Sequence, residues 1–132
     1  MSRDRERFGR GEASVETVLV FPVLLGVVLV LVQLAVTMHT AHVAGVVAMR
    51  GAQVAAQMAG HPAAVPTAVD EMDSMIRGLQ GRPADSLALQ FDGLSVQSRV
   101  VLRTGGVVPW LASRVERGAS VPLEVFRFSG ER

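Results

Sequence analysis

"RGEASVETVLVFPVLLGVVLVLVQL", residues 10–34, decides what kind of protein this is. No Asp, Glu, Lys or Arg occurs from Thr17 through Met49, a run of 33 residues whose most hydrophobic part is Val18 to Val36. A helix rises ~1.5 Å per residue and bilayer hydrocarbon is ~30 Å thick, so about 20 apolar residues suffice to cross it. The run can span. It is longer than the ~7–15-residue apolar region of a secretory signal, and no A-x-A cleavage site closes it, which favours an anchor over a discarded signal. A helix buried in a soluble core is the lesser alternative.

The flanks give an orientation. Residues 1–11 hold Arg3, Arg5, Arg7 and Arg10 against Asp4 and Glu6, and the first charge after the run is the distant Arg50. Because positive flanks stay in the cytoplasm, the N-terminus is expected inside and the rest exported, as a single-pass protein of the bacterial cytoplasmic membrane. The whole chain carries +1, and residues 60–132 hold eight Arg against eight acids, so no basic face for nucleic acid is expected. Cysteine is absent, so disulfides do not staple the exported part. All 13 basic residues are Arg, and Lys, Asn and Tyr are missing, a usage typical of a GC-rich bacterial genome.

Three parts follow: a polar leader over 1–11, a transmembrane and stalk helix over 12–60, and a small extracytoplasmic α+β domain over 61–132. The helix is expected to start near Ser14 as N-cap and to stop at Gly60, His61 and Pro62, with Pro22 removing one backbone hydrogen bond inside it. At that length its second half should project beyond the bilayer as a stalk. This half is rich in small residues, and Ala41 with Gly45 and Ala48 with Ala52 stand four apart, which lets another helix approach closely. Plain abundance of alanine is an equally weighted reading. In "PTAVDEMDSMIRGLQG", residues 66–81, Val69, Met72, Ile76 and Leu79 have helical spacing. "LALQF", "VQSRVVLRT" and "VPLEVFRF" alternate as strands do, with Gly105 and Gly106 as a break. The expected fold class is α+β: one long helix, then one short helix on a small antiparallel sheet. The 71 residues after His61 are near the lower size limit for a self-sufficient core, so the domain is expected to lean on the long helix or on a partner.

Catalytic and metal chemistry has little to stand on. His39 and His42 are three apart, but no acid lies between Thr17 and Arg50 to complete a site, and they read as polar residues at a membrane interface. No nucleophile motif surrounds a serine, and Trp110 reads as a packing residue. No enzyme activity and no cofactor are expected.

Glu16 has a plain explanation, an acid in the first turn of a helix, favoured by the helix dipole by a few tenths of a kcal/mol. It has a sharper one too. Gly11 ends the basic leader, and a cut after it would make Glu12 the first residue and Glu16 the fifth, the arrangement read by prepilin peptidases. With those residues the stretch resembles the N-terminus of the TadE-like family of tight-adherence (Flp) pilus assembly proteins, which are pseudopilins. "VPLEVFRF" is similar, more loosely, to the family's final strand. The chain departs from the pattern at Glu12, acidic where the first mature residue is usually neutral, and at Thr17, where an aromatic is usual.

The resemblance implies Gly11 and Glu12 as the prepilin cleavage pair and Glu16 as the assembly glutamate, pairing with the N-terminal amine of a neighbouring subunit. It also implies a pilin-like fold and, as partners, other pilin-like subunits, the prepilin peptidase and the membrane platform of a type IV pilus or related secretion apparatus. The domain after Pro62 points to a minor component, since the major Flp pilin is little more than the helix. An ordinary signal-anchored envelope protein with a partner-binding outer domain is the alternative.

Overall fold

A computed structural model describes residues 5–106 and 112–123, with side chains from Thr17 onward. Helix α1 runs from Arg5 to Gln57 and α2 from Ala64 to Gln80; strands β1 (Ser86–Phe91), β2 (Ser95–Arg103) and β3 (Arg114–Pro122) follow. The fold is α+β: a long N-terminal apolar helix, a second helix and one three-stranded antiparallel sheet in the order β1-β2-β3.

α1 is 53 residues long, about 80 Å, and passes through Pro22. It begins at Arg5, so Ser14 lies inside the helix and does not cap it. The Arg and Glu residues before Ser14 are good helix formers, and a helix already nucleated extends at little cost per residue. The expected stop holds: after Gln57 the chain turns, and Gly60 takes φ +86°, a conformation that a Cβ would oppose.

α2 folds back antiparallel to α1. Ala52 and Ala55 of α1 meet Ala68, while Val43 to Ala48 meet Met72 and Ile76. The buried face of α2 follows Ala64, Ala68, Met72 and Ile76. Leu79, expected on that face, is 57% exposed. The contact row advances in steps of four, and Leu79, three beyond Ile76, falls to one side of it.

β2 is the central strand. Its inward residues Val96, Ser98, Val100 and Leu102 are buried against the helices, and Gln97, Arg99 and Arg103 face out. β3 shares only Val121 and Pro122 with the expected strand "VPLEVFRF". It is "RVERGASVP", residues 114–122, in register from Ser95↔Pro122 to Arg103↔Arg114. Its alternation is masked by Gly118 and by charge on both faces, as suits an edge strand. Residues 124–128 of the expected strand lie outside the described residues, as does Trp110.

Because β2 runs parallel to α2, the domain has two ends. The near end, from which the exposed half of α1 emerges, gathers Gly81 to Asp85, the close of β2 and the start of β3. The far end holds the α1–α2 turn, the β1–β2 hairpin and Leu123. The β2–β3 connection is clasped at the near end by Thr104 and Ser113. The Thr104 hydroxyl donates to the Ser113 carbonyl (2.7 Å) and accepts from the Ser113 N–H (2.8 Å).

The second half of α1, expected to project as a stalk with the domain leaning on it or on a partner, forms one side of the domain's core. Val43, Ala44, Val47, Ala48, Ala52 and Ala55 are buried beneath α2 and the sheet. The Ser98 hydroxyl of β2 donates to the Ala48 carbonyl of α1 at 2.5 Å, fixing the sheet's height on the helix.

Candidate functional site

Gly11, Glu12 and Glu16 lie within α1, ahead of the first described side chain, and because the helix begins at Arg5, Glu16 stands well past its first turn and is not the first-turn acid expected from the sequence. The helix is continuous from them into an apolar segment in which Val18, Phe21, Leu24, Val28 and Leu31 are all more than half exposed. From Thr17 to Gln57 α1 is long and apolar enough to cross a membrane. Its few polar side chains do not forbid it. Thr37 and Thr40 donate their hydroxyls to the carbonyls of Gln33 and Val36, both at 2.9 Å, so neither needs water.

The four small residues singled out on α1 separate into two pairs. Ala48 and Ala52 are fully buried and pack within the chain, against α2 and β2. Ala41 and Gly45 are half-buried on the floor of an open groove between α1 and the edge of β3. Met38, Val46, Met49 and Met75 give this groove an apolar lining, and Arg50 and Arg117 stand at it. Arg50 faces Glu71 of α2 at 3.6 Å, with both side chains nearly half exposed, a contact of marginal worth. Arg117 lies on the core-facing side of β3, opposite Val100 of β2.

The alternation of "RVERGASV" was the one sequence signal for Arg117, and it was hidden by the misplaced third strand. Met75 needed the α1–α2 contact itself, because its spacing on α2 puts it beside the buried row rather than in it.

Among the described residues no three of His, Asp and Glu gather to hold a metal. His39 and His42 are exposed on α1, and His42 lines the groove beside Ala41.

Residues 11–53 match the family of TadE-like proteins. The TadE-like segment opens on Gly11 and ends at Gln53, so it is all α1, bare half and packed half together, and stops before α2 and the sheet. The chain is thus similar, over these residues, to TadE-like proteins, a family associated with tight-adherence pilus assembly. The chain has no match among curated proteins or solved structures.

Proposed function

We propose that this protein is a minor pseudopilin, a structural subunit without catalytic turnover, that joins or primes a tight-adherence pilus or a related secretion assembly. The observation that carries this reading is a TadE-like helix that keeps one half bare and clothes the other in a folded domain. Such a subunit is held in the bilayer by residues 17–36 and presents its domain outside the cytoplasm, with the arginine-rich N-terminus inside.

The prepilin peptidase cuts after Gly11 and frees the amine of Glu12. Glu16 then serves as the assembly glutamate. A carboxylate at the centre of a bilayer costs ~2.5–3.5 kcal/mol on insertion scales, less near an interface, and a neighbouring subunit's amine offsets that cost. The groove over Ala41 and Gly45 is open to a pilin-like neighbour, whereas Ala48 and Ala52 serve the fold of the subunit itself.

Two measurements test this. Intact mass of protein from its host should give a mature chain beginning at Glu12; a chain beginning at Met1 or Ser2 sinks the processing and favours a plain signal-anchored protein. Glu16→Gln keeps the volume and removes the charge, so membrane abundance and cleavage should persist while incorporation into pili falls, as it should for uncleaved Gly11→Val. Normal pili with Glu16→Gln would leave Glu16 as an ordinary helical acid.

A further inference from the structure

The near end of the domain carries a cluster of arginines drawn from three separate stretches of chain. Arg103 and Arg114 are direct cross-strand partners at the close of β2 and the start of β3, an arrangement in which like charges repel. Asp85 lies against both, at 3.6 Å from Arg103 Nε and 3.2 Å from Arg114 Nε. Arg82 completes the group by donating from Nη2 to the Arg103 carbonyl at 2.8 Å. Three cations face one carboxylate, the side chains of Arg103 and Arg114 are 58% and 69% exposed, and the sequence between those two strands has no acid. The cluster is therefore a solvent-facing site with positive charge in excess. The remaining guanidinium N–H groups have no carboxylate among the described residues.

Its height along α1 can be bounded. Ser98 sits at the level of Ala48, and Arg103 is five residues further along β2, about 17 Å at most. Along a helix that distance is ~11 residues. Leu102 packs in the same cluster as Val43. The arginines therefore stand between the levels of Thr37 and Val43. If the span ends near Val36, this is within about 10 Å of the hydrocarbon edge, which puts the guanidinium groups within side-chain reach of a headgroup layer ~5–8 Å thick.

We propose that Arg82, Arg103 and Arg114 form a phosphate-binding rim that seats the domain on anionic lipid headgroups of the leaflet from which α1 emerges. The inference rests on α1 spanning the membrane and on no other part of the pilin reading. Guanidinium is suited to this task because its planar fork donates two parallel hydrogen bonds to phosphate oxygens. Asp85 relieves the repulsion between Arg103 and Arg114 without neutralising the group. The rim fixes the domain's tilt and rotation on the membrane.

The absence of native cysteine permits a direct test on the full chain in nanodiscs of phosphatidylcholine, with or without phosphatidylglycerol. A fluorophore is attached at Ala112→Cys near the rim, at Leu94→Cys on the far end, or at Gly26→Cys in the span. Nitroxide on the lipid headgroups should quench the Ala112 probe, more strongly with phosphatidylglycerol, and spare the Leu94 probe. Nitroxide on the acyl chains should quench the Gly26 probe. Arg82→Gln and Arg114→Gln should each lower the ratio of seated to unseated domain about fivefold. Raising salt on the unmutated protein should do the same, which needs no variant to fold.

Inorganic phosphate at matched ionic strength should release the domain no better than chloride; selective release by phosphate would assign the rim to a free anion and overturn the lipid proposal. Equal quenching at Ala112 with and without phosphatidylglycerol, or after the Arg→Gln changes, also overturns it. A quenched Gly26 probe beside an unquenched Ala112 probe rejects the rim alone, whereas an unquenched Gly26 probe rejects the membrane span and the rim with it.

Discussion

Beyond Glu16, the two parts of α1 are both apolar and almost free of charge, yet they do opposite things. From Val18 to Leu34 the side chains are Val, Leu and Phe apart from Pro22, Gly26 and Gln33, and nearly all stay exposed. From Val43 to Ala55 the buried side is Val, Ala and Gly, and it is sealed under α2 and the sheet. Hydrophobicity alone therefore does not say what covers a helix. Large side chains all round suit a solvent of lipid tails, which conforms to any surface. Small side chains on one side suit a partner backbone, which gains contact only by coming close. Gly51 makes the point within one residue, because a Cβ there would overlap the Met72 thioether.

The largest expected effects probe this difference in the core. Ile76 is fully buried against the packed half, so Ile76→Ala should lower the domain's stability by ~2–5 kcal/mol. Leu24→Ala, in the bare half, should leave the same denaturant midpoint in detergent unchanged. Comparable losses from both would mean that the bare half contributes to the fold and would break the contrast.

A smaller effect sharpens it. Gly51→Val should cost ~1–3 kcal/mol, because the buried Met72 side chain must leave its place to admit the new side chain. Gly26→Val meets nothing within 4 Å and should be neutral in the same thermal unfolding. A neutral Gly51→Val would show that Met72 can repack and that the close approach is not needed.

The smallest concerns the tie between sheet and helix. Ser98→Ala removes the hydroxyl donor to the Ala48 carbonyl, and the net loss should be ~0.5–1.5 kcal/mol, read as a lower unfolding midpoint. Thr37→Val, whose hydroxyl bonds only within its own helix turn, should change the midpoint by less than Ser98→Ala does. Equal shifts would remove the special standing of the bond between elements.

The sequence by itself determined the elements whose cause is local. The uncharged run set α1 and its capacity to span, because length and hydropathy need no partner. Gly60 and Pro62 set its end, Met72 and Ile76 set the inner face of α2, and the alternation in "LALQF" and "VQSRVVLRT" set two strands. The resemblance of residues 10–34 to TadE-like proteins was carried by the same local pattern, and the family match falls on α1.

Only the tertiary structure decided the rest, because each remaining feature depends on which segments meet. β3 lies on "RVERGASVP" because pairing with β2 and cover by α1 outweigh a glycine and a run of charges that disfavour a strand locally. Leu79 is exposed because the packing row of α2 passes it by. Ala48 and Ala52 turn inward while Ala41 and Gly45 stay at an open groove, although all four look alike in sequence, because the packing of α2 and the sheet decides which part of α1 is covered. The arginines at 82, 103 and 114 gather at one end only when strand register makes neighbours of residues far apart in the chain. Side-chain chemistry is written in the sequence, but proximity between distant residues is created by packing.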